Sequence, residues 1–452
     1  MKRVFIKSKR LILKDLKMSD VNNNYLSWFD DKETKKFVIY SPKKNLEILR
    51  RDVKNIISKK DEIFLGIFTL KKEHIGTIRI YDIDIKTSTS NLGILIGKKN
   101  WRGKGFAIEA MELCGNYLYQ NYKISKICLG TKIKNKKAID LYKNSGFVIF
   151  RKSKKNVFFC KNHFKSKIVI GTAQLGSNYG IANTSGKLSI NEMKKIKNYA
   201  LENGINSIET AQAYGSCEKD LGSINVKKFN IVTKLPINAP KKNIKKWVFQ
   251  TIKNSMRKLK VKKLHGLLVH NAKQLKNKNG NKLYQALIES KKKKLVNKIG
   301  ISVYTIEELK NLLSKYELDI VSIPFNIIDQ RLKSSGWLYK LKKLKVDIYA
   351  RSIFLQGLLL MREKQRPKIF KKWNELFRKW DMIVKKSGKS RLENCLGFVL
   401  NHPEIDKIIL GFDNYNHFAE IIKKAKPLNN LPISLMARKK TNLINPSKWR
   451  IS

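Results

Sequence analysis

Glu209-Thr-Ala-Gln-Ala-Tyr214-Gly215 follows the second of about eight short apolar runs that alternate with helix-patterned segments between residues 168 and 411. Repeated strand–helix alternation of this kind is the sequence form of a (β/α)8 barrel, and the roughly 285 residues available suit one such barrel. Strands are expected at 168–175, 207–210, 230–234, 266–270, 298–303, 320–324, 347–351 and 407–411, with helices at 191–202, 243–259, 306–313 and 391–400. Barrel chemistry sits at the carboxyl ends of the strands, and Glu209, Tyr214, Lys234 and His270 fall at or just past the ends of the second, third and fourth. They should converge on one mouth. A neighbouring ammonium is expected to lower a phenol's pKa, so that Tyr214 can protonate a carbonyl oxygen as hydride arrives. A carboxylate would orient the lysine, and a histidine would polarise the substrate. Singly, Lys234 could be a solvated strand end and His270 a satisfied histidine; together the four read as a reductase set.

Residues 8–160 have a different rhythm. Strand-like runs at 10–14, 63–70, 75–81, 92–96 and 127–131 are separated by helical spacing at 21–29, 46–58 and 108–119, a mixed α/β pattern. After the strand ending at Ile96 comes Trp101-Arg102-Gly103-Lys-Gly105-Phe-Ala107, which opens the long helix. Backbone N–H groups at a helix start can hold phosphate oxygens, glycine permits close approach, and Arg102 is expected to add a cation. Asn135-Lys-Lys-Ala138-Ile-Asp-Leu-Tyr142-Lys-Asn-Ser-Gly146-Phe147 then gives a short helix closed by glycine.

These residues resemble the GNAT acetyltransferase family. Its pyrophosphate loop, Gln/Arg-x-x-Gly-x-Gly/Ala, is matched by Arg102, Gly105 and Ala107, and its later Asn-x-x-Ala…Tyr…Gly-Phe pattern by Asn135 to Phe147. The resemblance implies an α+β acetyltransferase fold that binds acetyl-CoA through Arg102, Gly103, Gly105, Ala107 and Asn135, with Tyr142 protonating the departing thiolate. Glu73, Asp82 and Asp84 lie near the strands where a general base would sit, and spacing does not choose among them. The opening Arg10-Leu-Ile-Leu-Lys-Asp…Tyr25-Leu-Ser-Trp28 is similar to acetyltransferases of protein N-termini and of amino sugars.

Residues 167–428 resemble the aldo/keto reductase superfamily through Gly171-Thr-Ala-Gln-Leu-Gly176, Ala211 to Gly215, Val232-Thr-Lys234-Leu-Pro236, Ile299-Gly-Ile-Ser302-Val-Tyr304, Pro324-Phe-Asn326 and Arg351-Ser352-Ile-Phe-Leu-Gln356-Gly357. That resemblance implies Tyr214 as acid, Lys234 as its tuner and His270 as the orienting histidine. It also implies Ser302, Asn326, Ser352 and Gln356 near a nicotinamide nucleotide, usually NADP(H). The chain departs from the pattern in having Glu209 where the family has Asp, and Ser322 where a Gln is usual.

A division into 1–163 (acetyltransferase) and 164–452 (reductase barrel) is therefore expected, in keeping with a length of 452 residues. The net charge of +61 comes from lysines spread throughout, so no nucleic-acid partner is expected. The charge should instead attract small anionic substrates. Five scattered cysteines without C-x-x-C or histidine clusters suggest no metal site and no disulfide framework. No stretch has the roughly 20 apolar residues of a membrane span, and Met1 to Arg10 lacks a signal-peptide core, so no membrane insertion and a cytoplasmic location are expected.

Fused enzymes commonly serve one pathway, and both halves resemble enzymes of surface-glycan and nonulosonic-acid biosynthesis. The expected substrates are small molecules: an amino sugar or nucleotide sugar for acetylation, and a carbonyl compound for reduction. The alternatives are a protein N-terminal acetyltransferase joined to a general carbonyl reductase, and a sensor of CoA or nucleotides with degenerate sites.

Overall fold

Leu11 and Leu13 are buried while Ile12 and Lys14 are half-exposed, the period-two alternation of a strand with one face in a core. The structure, a computed structural model, describes residues 4–38, 40, 42, 44–59, 61–428 and 441–449. The chain separates into two units, Met1–Ser166 and Lys167–Ser452.

In the first unit eight strands form one sheet. In chain order they are β1 (Phe5–Lys7), β2 (Leu11–Asp15), β3 (Ile63–Thr69), β4 (His74–Asp84), β5 (Thr89–Ile96), β6 (Lys126–Lys132), β7 (Val148–Lys152) and β8 (Asn156–Asn162). Their spatial order is β1-β2-β3-β4-β5-β6-β8-β7. Neighbours are antiparallel except β5 and β6, and a parallel pair needs a crossover. The glycine-rich loop and the helix Phe106–Tyr122 supply it. That helix buries Phe106, Ala110, Cys114 and Leu118, four apart on one stripe, among Leu65, Ile78 and Leu92 of the strands. Truncating a buried leucine such as Leu118 to alanine costs about 2–5 kcal/mol.

The β5–β6 ladder determines where this unit opens. The two strands pair only from Thr89 to Asn91 and from Lys126 to Cys128. Each then continues, to Ile96 and Lys132, held by its other neighbour. Beyond Asn91 and Cys128 the facing backbone edges share no hydrogen bonds and leave a cleft.

In the second unit β9 (Ile168–Gly171), β10 (Ser207–Glu209), β11 (Asn230–Lys234), β12 (Leu264–Val269), β13 (Val296–Ser302), β14 (Ile320–Pro324), β15 (Asp347–Arg351) and β16 (Lys407–Leu410) close into a barrel of parallel strands. The barrel is the (β/α)8 form expected from the sequence. Its strands are largely buried on both faces, between the barrel interior and the surrounding helices. Helix starts are fixed by capping boxes at Thr305/Glu308 and Ser390/Glu393.

One element differs from expectation. The first strand stops at Gly171 rather than at residue 175, and Ala173–Gly176 form a helical turn. The ladder to β10 ends at Gly171 and that to β16 at Ile170, so the chain beyond has no strand to pair with. Ala-Gln-Leu favours helix, and an apolar run of that length does not by itself distinguish strand from helix.

Candidate active sites

Glu209 and Lys234 are the last residues of β10 and β11, and their side chains are only 5% and 3% exposed. Glu209 and Lys234 form an ion pair, and Lys234 Nζ donates to the phenol oxygen of Tyr214 at 2.7 Å. Tyr214 stands on the turn after β10, where its N–H donates to Ala211 O at 3.0 Å. Gly176 lets the two segments close together, since a Cβ there would lie 2.0 Å from the Tyr214 carbonyl oxygen. His270 follows β12 directly, its ring edge-on to Tyr214 with centroids 6.3 Å apart. Its Nδ1 is buried and, among the described residues, has no hydrogen-bond partner.

The electrostatics differ in one respect from the sequence expectation. The Tyr214 phenol is pushed up rather than lowered, by withdrawal from water first, with Tyr179 adding to the effect and the Arg351 cation opposing it. Burial first and the Arg351 cation second push Lys234 down, and the Glu209 carboxylate in direct contact with it opposes them and favours the ammonium. His270 is depressed to about 4 by burial, then by Lys234 and Arg351. Tyr214 therefore keeps its proton and His270 stays neutral near neutral pH, a state suited to donating a proton to oxygen as negative charge develops there.

These side chains line a cavity of about 1200 Å³ together with Ser302, Ser352 and Gln356. Asn326 does not line it, which corrects its expected place beside a nucleotide. Its Nδ2 donates to Ser352 O at 2.9 Å, and its Oδ1 accepts from the N–H groups of Ile328 and Asp329 at 3.1 and 2.9 Å. Asn326 instead ties down a loop in which Ser352, Leu355 and Gln356 all have positive φ, at 58°, 49° and 54°. Such left-handed non-glycine residues need outside support. Ser322 is fully buried and its Oγ has no partner among the described residues.

Sequence reasoning gave no role to Tyr179, Tyr304 or Arg351, which also line the cavity. The available signal was position, since Arg351 is the last residue of β15 and Tyr304 lies just beyond β13.

Burial of histidines gives a pH prediction. His265 is depressed to about 3, and His270 and His402 to about 4, in each case mainly by burial; in the first unit His74 is depressed to about 4 for the same reason. Unfolded histidine takes up its proton as the pH falls below 6.5, whereas these remain neutral in the fold. In that window the unfolded chain binds more protons, so stability falls as pH drops from 6.5 toward 4. Scanning calorimetry should show the barrel's Tm dropping by at least several degrees between about pH 7 and about pH 5, and by more than that of the first unit. A pH-independent barrel transition would refute this.

In the first unit a second cavity, about 1390 Å³, occupies the cleft between β5 and β6. Arg102, Gly103, Gly105, Ala107, Asn135 and Tyr142 line it. Gly103 and Gly105 have φ of 74° and 80°, and Gly105 starts the helix Phe106–Tyr122, whose first N–H groups lack intrahelical acceptors. Arg10 braces the loop by donating to Lys104 O at 3.0 Å while pairing with Glu109. Asn135 caps the helix Lys136–Asn144 by accepting from Ala138 N at 3.2 Å, which leaves its amide donor side for a ligand. Tyr142 is 8% exposed, packs edge-on to Phe159 at 5.5 Å, and burial pushes its phenol to about 12. It retains its proton, as a donor to a thiolate must.

Arg102 behaves differently from expectation. Its Nε donates to Ile96 O at 2.9 Å, Nη1 to Asp31 Oδ2 at 2.6 Å, and Nη2 to Thr34 Oγ1 and Gly97 O at 3.0 and 2.8 Å. The guanidinium joins the start of the helix Lys32–Phe37 to the end of β5 rather than presenting a free cation to phosphate. Arg102→Gln is accordingly expected to destabilise the first unit by about 1–3 kcal/mol and to weaken acetyl-CoA binding by less than about tenfold. A larger loss of affinity by calorimetry, at unchanged Tm, would return the guanidinium to the phosphate.

The three carboxylates considered as bases lie outside this cavity's lining: Glu73 pairs with Lys98 at 2.8 Å, Asp82 accepts from Asn91 at 2.7 Å, and Asp84 accepts from Thr87 Oγ1 at 2.6 Å. Among the described residues no cluster of three His, Cys, Asp or Glu could hold a metal ion, and no helix is long and apolar enough to cross a membrane.

The model of the aldo/keto reductase family matches residues 167–438, and that of the acetyltransferase (GNAT) domain matches residues 10–148. The chain belongs to the aldo/keto reductase family and carries a GNAT acetyltransferase domain ahead of the barrel. Among solved structures it is similar to an aldo-keto reductase from Bacillus halodurans, at 16% identity over 58% of this chain and 88% of that one, with a TM-score of 0.47. It is also similar to a glycerol dehydrogenase from Gluconobacter oxydans, at 16% identity over 63% of this chain and 94% of that one, with a TM-score of 0.47. No curated protein matches the chain.

Proposed function

We propose that the chain is a bifunctional cytoplasmic enzyme in which the first unit transfers an acetyl group from acetyl-CoA to an amine and the barrel reduces a carbonyl with NADP(H). The observation that carries this reading is the chain of contacts Glu209–Lys234–Tyr214, with an unpartnered His270 nitrogen in the same cavity. A nicotinamide dinucleotide suits this cavity, which at about 1200 Å³ is larger than most small-molecule sites and is also lined by Asp413 and His417, well along the chain from Tyr214. When bound, the cofactor supplies the hydride. Tyr214 then holds the proton for the carbonyl oxygen, Lys234 orients the phenol, Glu209 fixes Lys234, and His270 has a free nitrogen to position the substrate.

In the first unit the opening between β5 and β6 offers unpaired backbone to an extended ligand, and the start of the helix at Phe106 offers N–H groups to phosphates. Tyr142 holds the proton that the thiolate takes as the amine displaces it. Small molecules of the amino-sugar or nucleotide-sugar class are the substrates we favour, and a net charge of +61 would draw such anionic compounds. Incubation with a panel of nucleotide amino sugars, acetyl-CoA and NADPH tests the reading. Thiol release and NADPH oxidation are expected, and a panel that yields neither would overturn it.

A further inference from the structure

Arg351 is the last residue of β15 and lines the cavity that holds Tyr214, Lys234 and His270. Its guanidinium lies 4.1 Å from the centre of the Tyr304 ring, and Nη2 donates to Val303 O at 3.0 Å. Nε is buried without a hydrogen-bond partner among the described residues. Other partly buried arginines of the barrel have carboxylates: Arg331 pairs with Asp329, and Arg366 and Arg391 with Asp381. Among the described residues Arg351 pairs with none.

We infer that the reductase half acts on a carbonyl compound bearing its own carboxylate, and that Arg351 binds that carboxylate beside the reacting carbonyl. The inference rests on the barrel being a carbonyl reductase, as proposed above.

Charge accounting supports it. Lys234 is balanced by Glu209, and His270 is neutral near pH 7 because burial depresses it. A guanidinium does not lose its proton in proteins, so Arg351 brings to the mouth a positive charge that no carboxylate among the described residues pairs with, while Arg362 on the same wall is exposed to solvent. That charge acts on Tyr214, Lys234 and His270 alike, which places it next to the chemistry. A half-buried cation with a buried, unpartnered Nε and no counter-ion is costly, and an arriving anion reduces the cost. Of the other carboxylates on the cavity's wall, Asp381 is engaged by two arginines, Asp413 by His417 and Glu420 by Lys424, and Glu363 is exposed to solvent. A single positive charge matches a carboxylate better than a phosphate dianion. The Tyr304 ring and the hydrogen bond to Val303 O also hold the guanidinium in place, and its fork of donors suits two-point recognition of a planar carboxylate.

The test compares NADPH oxidation with matched probes: glyoxylate against acetaldehyde, succinate semialdehyde against butanal, and glyceraldehyde 3-phosphate against glyceraldehyde. Wild-type protein should favour the carboxylate member by roughly 10- to 100-fold in kcat/KM. Arg351→Gln should erase that preference, and Arg351→Lys should retain part of it, with circular dichroism and the NADPH Kd unchanged. Calorimetric binding of oxamate should likewise be lost in Arg351→Gln. Equal use of charged and uncharged members by the wild type overturns the inference. So does a preference confined to the phosphate pair, or an Arg351→Gln variant that loses NADPH affinity while its probe ratios stay put, since the arginine would then serve the cofactor. Arg351-dependent oxamate binding in a protein that oxidises NADPH with no probe would support the anion site while removing the reductase reading.

Discussion

Tyr214→Phe is expected to lower kcat for carbonyl reduction by about two to four orders of magnitude while leaving acetyl transfer at its original rate. The substitution removes one oxygen and little else. Lys234 keeps its ion pair with Glu209, so no uncompensated buried charge is created, and the ring's turn is held by backbone contacts to Ala211 and Gly176. Lost activity would therefore report the missing proton donor rather than a collapsed site. Thiol release from acetyl-CoA by the first unit provides an internal control in the same sample. If the Phe variant oxidised NADPH at the normal rate with a carbonyl substrate, Tyr214 would not be the acid.

The barrel was legible because its strands are short, apolar and separated by helix-period segments, a pattern that survives without knowledge of any contact. The relay residues were legible because strand ends converge in such a barrel, so linear position translates into proximity. What escaped the sequence depends on partners distant in the chain. Arg102 reads as a free cation until Asp31 and Thr34, some seventy residues earlier, are seen to engage it. Asn326 matches a nucleotide-binding pattern, but its amide is occupied by the backbone at Ser352, Ile328 and Asp329. The direction of the Tyr214 shift depends on how little water reaches the phenol, a property of the closed site rather than of a neighbouring lysine.

The carboxylate of the relay decides whether the departure from the family pattern is a defect or an adaptation. Glu209 faces Val232 across the β10–β11 ladder, and Lys234 lies two residues further along β11, on the same face. The Glu209 carboxylate therefore has to reach along the strand direction, and in this structure it is already in contact with Lys234. Aspartate would draw the carboxylate back by about one bond length, and misplacement near 1 Å can cost on the order of a hundredfold in rate. Glu209→Asp is thus expected to lower the steady-state rate of NADPH oxidation by about 10- to 100-fold. Glu209→Gln, which leaves the Lys234 ammonium buried and unpaired, should also cost the barrel about 3–5 kcal/mol of stability. A faster Glu209→Asp enzyme would show that glutamate is poorly accommodated and that the contact seen here is strained. Equal rates would show that the ion pair does not position Lys234 at all, and Tyr214 would then have to be held by the Lys234 hydrogen bond and its own turn alone.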